Sequence, residues 1–511
     1  MKITIQNKKA EEAFTNGVNA VANIVSSTLG PFGRNVALTK GWGAPVITND
    51  GVSIAREIEC EDVFENEACE SIKGVARKTD EEAKDSTTTS ITLAQAIYLE
   101  GLKHRENPIE IMKSLNEESD KLVEELKKIS KPVHNKQDIK NVATISAESE
   151  ETGNIIADTY EAIGNDGIIS VEEATIPGIE VEMVEGYEMK KGMAHFQMGG
   201  ATGKVTFDNA HCLVMAGSLN LASEILPFLQ KIEGKTKELI IFCDGVDGGV
   251  INFFLMNKAA GNFNGIIVKC QSQKDEILED IAAVTGAQLV RRDTGVALET
   301  LPLSVLGKAR KITVAMDKTT IVDGKGKIKE LVNQLKENLK NEKNDNQFDL
   351  LENRIARLTG GMAILRVGAK TEERMRYLKD KVDDAVGTAK SAIEEGIVEG
   401  GGMTLYRLSE NLKGDTPGSR ILKKALKQPL RKIIENAGKD YDDVIGEIRK
   451  QEMKGKKVGY NAKTDTYVDM LKAGIIDSTK GQRCALENAV SWASSALTMV
   501  AMVANKKEEI K

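Results

Sequence analysis

The sequence predicts a helix-rich, multidomain α/β protein, on three observations. Apolar residues recur at a spacing of three to four near both ends of the chain. The middle third alternates short apolar runs with helical segments. The 511 residues suffice for about three domains of ordinary size. In order along the chain, Val18, Val21, Ala22, Val25 and Leu29 predict a helix that Gly30-Pro31 ends. Val36-Ala37-Leu38 and Val46-Ile47 predict a hairpin around the turn-rich Lys40-Gly41-Trp42-Gly43. After Thr87-Thr88-Thr89, a second helix is read from Ile91, Ala94, Ile97, Tyr98 and Leu102. In the middle, Leu239-Ile240-Ile241-Phe242, Gly265-Ile266-Ile267-Val268 and Lys311-Ile312-Thr313-Val314 alternate with helical segments such as 275–285, which predicts a small α/β domain with parallel strands. A long charged amphipathic segment runs over 325–358, closes at Gly360-Gly361 and precedes a strand, Ala363–Val367. Ala485, Ala489, Trp492, Ala496, Val500 and Val503 predict a final apolar stripe. Helical ends around an α/β middle predict an inserted domain, with the two ends packed together.

Composition removes several function classes. Lys+Arg 70 against Asp+Glu 77 leaves a net charge of −7, with no basic excess for nucleic acid or a membrane surface. Aromatics are only 4%, too few for stacking platforms, while Gly is 45, a reserve for special backbone geometry. No run of about 18 apolar residues offers a membrane span, and Met1–Asn7 has no apolar core of a secretory signal. Cys60, Cys69, Cys212, Cys243, Cys270 and Cys484 are scattered, and the four histidines lack metal spacing. Reduced thiols in a cytosol-like compartment fit better than a disulfide scaffold or a zinc site.

Five local patterns suit a phosphate. Thr28-Leu29-Gly30-Pro31 puts backbone N–H groups after a helix, and Thr48-Asn49-Asp50-Gly51 is a tight turn carrying a carboxylate. Lys84-Asp85-Ser86-Thr87-Thr88-Thr89 opens a helix with hydroxyls and free N–H groups, where the helix dipole favours an anion. Glu399-Gly400-Gly401-Gly402 permits close backbone approach, and Asp384 stands on a helical segment just before it. Each alone is an ordinary turn or cap. No G-x-x-x-x-G-K-[ST] is present, which excludes an ordinary P-loop.

Together and in order, these patterns are specific. Thr28-Leu29-Gly30-Pro31-Phe32-Gly33-Arg34-Asn35-Val36, Asp50-Gly51-Val52-Ser53-Ile54-Ala55-Arg56-Glu57-Ile58, Thr87-Thr88-Thr89, Thr144-Ile145-Ser146-Ala147, Glu394–Gly402 and Gly459-Tyr460-Asn461-Ala462 strongly resemble the group I chaperonins, the GroEL family. The resemblance covers nearly the whole chain. It implies a helical ATP-binding equatorial domain from 1–130 and 397–511, a small hinge-like intermediate domain from 131–185 and 362–396, and an inserted α/β apical domain over 186–361. It further implies an ATP hydrolase that binds non-native polypeptides and encloses them in a homo-oligomeric, seven-fold ring with a co-chaperonin of the GroES family. The setting implied is a bacterial-type or host cell cytosol, with no nucleic acid and no membrane. The alternative is a holdase-type or structural ring with weakened or lost hydrolysis.

Residue by residue, the resemblance implies that Thr28, Leu29, Gly30 and Pro31 line the nucleotide and that Thr87, Thr88 and Thr89 cradle its phosphates. Asp85 and Asp50 would hold Mg2+, with K+ as an optional companion, and Asp384 would swing in to align the attacking water, Asp50 and Asp384 forming the catalytic pair. Gly401, Asn461, Ala462 and Asp477 match positions around ribose and base. Pro132 and Gly396 match a lower hinge, Gly186 and Gly361 an upper one. Client-binding positions are Met193, Phe196, Leu226, Leu229, Ile251, Leu255 and Met256, a flexible apolar set suited to many partners. Three cofactor-site positions depart from the family pattern: Asn49 stands for a lysine, and Lys84 and Ser86 flank Asp85 where glycines are usual. The cation absent at 49 returns at Lys84. A left-handed backbone at Ser86 would cost on the order of 1 kcal/mol.

Overall fold

The N-terminal apolar stripe forms the helix Lys8–Ser26, which buries Phe14, Val18, Val21, Ala22 and Val25 along one face. It ends three residues before Leu29, because Gly30 takes φ +84° and turns the chain. The computed structural model describes residues 2–505 apart from 40–44, 134, 166, 185, 234, 237, 272–275, 293–295 and 342–344, with backbone alone at 201, 202, 341, 345, 346, 349, 350, 352, 353 and 356. The hairpin strands Val36–Leu38 and Val46–Thr48 pair antiparallel; their expected turn over 40–43 lies outside the described residues. The chain divides into two compact units: Met1–Asp158 with Glu173–Ile179 and Val367–Lys511, and Thr159–Glu172 with Glu180–Arg366.

In the first unit the two chain ends meet. Strand Lys2–Gln6 pairs antiparallel with Ala501–Asn505, Lys2 opposite Asn505 and Gln6 opposite Ala501. Helices Lys8–Ser26, Val63–Ala83, Thr87–Gly101 and Thr479–Leu497 enclose one core. Thr87–Gly101 is buried on nearly every side, through Ile91, Leu93, Ala94, Ile97 and Tyr98. A helix apolar all round belongs at the centre of such a core. The expected C-terminal stripe is corrected at its end. The helix stops at Leu497, and the strand that follows turns Met502 and Ala504 inward and Val503 outward, so the period falls from 3.6 to 2. No helix among the described residues is long and apolar enough to cross a membrane. Cys60 Sγ and Cys69 Sγ lie 3.0 Å apart, a proximity that a nine-residue spacing did not announce.

In the second unit, Asn264–Lys269, Glu238–Cys243, Val205–Ala216, Gly307–Val314, Thr319–Gly324 and Gly186–Met189 follow one another across a sheet, with Val290–Arg291 beside Val205–Ala216. The first three are parallel. Leu239, Ile240, Ile241 and Phe242 are all fully buried, as a strand covered on both faces requires. The expectation for Lys311–Val314 is corrected: this strand runs antiparallel to both neighbours. It is joined to Thr319–Gly324 by too short a connection for a crossover helix. The long amphipathic segment is two helices, Ile328–Asn341 and Asp345–Thr359. The parts of strands Ile168–Ala174, Met362–Gly368 and Gly178–Val184 that belong to this unit form a separate sheet, with Met362–Gly368 in the middle.

Two crossings of the chain lie side by side in the first unit. Lys131 and Ile397 exchange backbone hydrogen bonds of 2.9 and 2.7 Å. Pro132 follows this pair and is exposed. Gly396 sits at φ +86°, and a methyl group there would stand 2.5 Å from the Lys131 carbonyl oxygen. Gly396→Ala therefore meets both strain and a clash, and is expected to destabilise the protein by about 2 kcal/mol. Urea unfolding checks this; an unchanged midpoint would contradict it. Gly186 and Gly361 are different. Neither has a positive φ, and each is small because a side chain, Met362 or Ile163, packs directly over it.

Candidate functional site

The helix Thr87–Gly101 starts without a side-chain cap. Its N-cap residue, Ser86, has φ +61° and ψ 22°, whereas a capping serine needs an extended backbone. The first-turn N–H groups are thus left to an external acceptor, and the helix dipole favours an anionic one. Ser86 follows Lys84, also left-handed at φ +54°. Relaxing one of these positions is a direct test of strain. Ser86→Gly is expected to raise stability by up to about 1 kcal/mol in chemical denaturation, and a loss of stability would contradict the strain.

Around this helix start, segments distant in sequence converge. A methyl group on Gly51 would stand 2.5 Å from Thr88 Oγ1 and 3.3 Å from Thr87 Oγ1, so the Asp50-Gly51 turn lies on the threonine run. Asp50 caps its own helix, Gly51–Glu57, accepting from Ser53 N at 2.7 Å with one carboxylate oxygen. Asp85 accepts from Ser86 N at 2.6 Å and from Ser478 Oγ at 2.7 Å. Gln482 Nε2 donates to Ser86 Oγ at 3.3 Å and to Asp477 Oδ2 at 3.0 Å. Helix Glu372–Glu395 packs on the same place. Ser391 Oγ donates to Ala83 O at 2.8 Å and Thr388 Oγ1 to Lys84 O at 3.3 Å. One turn earlier on that helix stands Asp384.

The electrostatics follow from this crowding. Burial, and then the negative charges of Asp50, Asp80 and Asp383, push the Asp384 carboxyl well above the ordinary range, with Lys84 offsetting part of the rise. Burial also raises Asp85 against its hydrogen bonds. Burial and the Asp85 charge together lift Asp477 to about 8. Among the described residues, no group of three or more acidic, histidine or cysteine side chains could hold a metal ion unaided. Mg2+ seldom needs one, since one or two carboxylates plus substrate phosphates suffice. Crowded, half-buried carboxylates beside uncapped N–H groups fit such a pair of ligands. The buried oxygens Asn49 Oδ1 and Gln482 Oε1, without a hydrogen-bond partner among the described residues, fit it too.

A second group of expected positions shares an apolar cluster. Leu29 and Ala462 pack in one cluster with Met470 and Ile433. Ile433 lies against Gly30, and Met470 against Gly401. Asn436 Nδ2 fixes the turn by donating to Leu29 O at 2.9 Å. Asn461 ends the strand Gly459–Asn461 and accepts from Lys463 N at 3.1 Å, and Pro31 is exposed beside Gly30. The two groups join at the glycine turn: Gly401 and Gly402 adopt φ +63° and +76°, conformations open to glycine, and Gly400 lies against Asp477.

The other expected surface lies in the second unit. Phe196, Leu226 and Met256 are exposed, and Ile251 and Leu255 are half-buried. Met193 and Leu229 are only 4% and 8% exposed. Met193 bridges to Val268 against the sheet. Leu229 shares the buried face of helix Ala222–Ile232 with Ile225 and Ile232, while Leu226 points the other way. Phe254 is likewise core.

The model of the TCP-1/cpn60 chaperonin family matches residues 21–507. The chain belongs to that family. Among solved structures, this chaperonin is similar to the chaperonin gp146 from the bacteriophage EL 2 (Pseudomonas aeruginosa), crystallised in the presence of ATP-BeFx. The TM-score is 0.74 at 18% identity, over 99% of this chain and 100% of that one. A second crystal form of gp146 gives 0.66 at 18% identity, over 99% of each chain. At that identity the likeness is one of fold.

Several residues at this chaperonin's site were not singled out in the sequence. Asp80, Ser478, Gln482, Glu148 and Lys381 all reach it or its neighbours. Ser478 carried a signal, since it precedes an apolar-periodic helix and caps it by accepting from Gly481 N at 3.0 Å. Asp80, Gln482 and Lys381 are polar residues on helices, and Glu148 follows the end of helix Lys136–Ala147 with φ +54°; none has a local mark. Asn49 Nδ2 donates to Glu148 Oε1 at 2.7 Å. Lys381 donates to the same oxygen at 2.9 Å. Leu221, exposed at the start of helix Ala222–Ile232, extends the apolar surface.

Proposed function

We propose that this chaperonin hydrolyses ATP and uses the cycle to capture and enclose non-native polypeptides. The observation that carries the reading is the uncapped start of helix Thr87–Gly101, set among Asp50, Asp85 and Asp384. The phosphates bind the N–H groups and hydroxyls of Thr87, Thr88 and Thr89. Leu29, Gly30, Gly401, Asn461, Ala462 and Asp477 contact base and ribose, and Thr28, Pro31, Asn49 and Ser86 complete the lining. Asp85 and Asp50 are the residues that would hold Mg2+, which neutralises phosphate charge when bound. K+ is a second cation for the same phosphates. Asp384 accepts a hydrogen bond from the water that attacks the γ-phosphate and aligns it. That gp146, which shares this fold, was crystallised in the presence of ATP-BeFx supports a nucleotide as ligand.

The reading carries the three-domain division of 1–130 with 397–511, 131–185 with 362–396, and 186–361, with hinges at Pro132, Gly186, Gly361 and Gly396. It also carries a seven-fold homo-oligomeric ring, a co-chaperonin of the GroES family and a cytosolic site of action. Clients are held by Phe196, Leu226, Ile251, Leu255 and Met256, because exposed, flexible apolar side chains re-pack around varied partners. Leu226→Ser with Met256→Ser is expected to lower capture of a denatured model protein at least about fivefold, with little loss of stability. Capture equal to wild type would place the client surface elsewhere. A second reading, a holdase-type ring with weakened hydrolysis, is favoured by the left-handed Lys84 and Ser86. Phosphate release with and without Asp384 separates the two. Negative-stain images with ATP and a co-chaperonin test ring symmetry and capping.

A further inference from the structure

Lys84 is held where a lysine is uncomfortable. Its φ of +54° is left-handed, a region in which a residue other than glycine is strained. Helix Glu372–Glu395 leaves it no slack, since a methyl group at Gly387 would collide with Lys84 Cβ. Strain that the surroundings maintain points to a use for the side chain. The Lys84 ammonium pairs with Asp80 Oδ2 at 3.0 Å and interacts with Asp383 and Asp384. Asp50 adds to the same field at Asp384. The neighbouring cation, Lys381, is engaged by Glu148 at 2.9 Å, and position 49 supplies only an amide. Lys84 thus pairs with Asp80 and stands in the field of Asp383 and Asp384, and a triphosphate brought to the threonine run would add further negative charge.

We propose that Lys84 is a positioning residue: its ammonium, set among Asp80, Asp383 and Asp384, balances the carboxylates gathered over the phosphate cradle, so that Asp384 and an anionic nucleotide can occupy the site together. This rests on the nucleotide reading above and adds to it a cation supplied from the Asp85 loop. The alternative is that Lys84 only caps its helix.

Equilibrium binding of ATP with Mg2+ to the full chain, by calorimetry, separates these roles. Lys84→Met is expected to weaken binding about tenfold, and Lys84→Arg to restore it to within about twofold. Lys84→Gly relaxes the backbone, so it is expected to melt no lower than wild type and still bind about as weakly as Lys84→Met. The affinity lost should shrink as ionic strength rises, which a purely structural role would not produce. If wild type binds ATP and Lys84→Met and Lys84→Gly bind equally tightly, this inference is overturned while the nucleotide reading stands. If wild type binds no ATP, both fall.

Discussion

Asp384→Ala is expected to lower ATP turnover by about a hundredfold or more, with ATP binding kept within a few-fold of wild type. Asp384 stands on helix Glu372–Glu395, one turn before Thr388, and among the described residues its side chain makes no hydrogen bond to the threonine run. Its removal therefore takes away the group that aligns water and spares the groups that hold phosphate. It also removes one negative charge from a field shared with Asp50, Asp80 and Asp383, so ATP affinity should rise if it changes at all. A pH profile adds a second check. The carboxylate form is needed to accept from water, and burial with like charge raises its titration point, so the acid limb of kcat should lie at higher pH than for an ordinary aspartate. A variant as fast as wild type would remove Asp384 from the reaction, and a wild type no faster than the variant would favour the holdase reading.

Asp85→Asn should do two opposite things. Binding of ATP that depends on Mg2+ is expected to fall at least about tenfold, since the amide keeps one acceptor, for Ser86 N, and turns its NH2 to Ser478 Oγ in place of the second oxygen, but loses the charge. Stability without nucleotide is expected to rise above mildly acid pH. The sign is set by burial: folded Asp85 holds its proton more tightly than the unfolded chain does, so the folded state loses stability as pH climbs past the ordinary aspartate range. Asp477 gives the window. It titrates at about 8 when folded and near 4 when unfolded, so stability wanes as pH rises from about 4 to about 8. Asp85→Asn removes a charge that raises Asp477 as well, and its gain over wild type in thermal melts should widen across that interval. Equal melting at pH 5 and pH 8 would contradict this, and unchanged affinity in Mg2+ would dismiss Asp85 as a metal ligand.

Much of the site was legible because its chemistry sits in short motifs. Thr28-Leu29-Gly30-Pro31, Asp50-Gly51, Asp85 with its threonines, and the Glu399–Gly402 turn each announce themselves through glycine, a hydroxyl run or a lone carboxylate. The residues that orient them did not. Gln482 bridges Ser86 and Asp477 from the first turn of helix Thr479–Leu497, and Asp80 pairs with Lys84 four residues on. Nothing local distinguishes them from solvated helix polar groups. The apolar surface shows the same limit: Leu226 and Leu229 are identical in type and three residues apart, yet only helix phase against the sheet decides which is buried.

By itself, the sequence determined the helix-rich α/β character, the insertion of one unit within the other and the order of the phosphate motifs, because periodicity and turn chemistry act over a few residues. Tertiary structure alone decided strand direction at Lys311–Val314, the change of period after Leu497, the burial of Met193, and the gathering of Asp50, Asp80, Asp85, Asp384 and Lys84. Each depends on what packs opposite, across tens to hundreds of residues of chain. Burial and like charge are properties of that assembled neighbourhood, so neither the raised carboxyls nor the need for a shared cation could be read from any one segment.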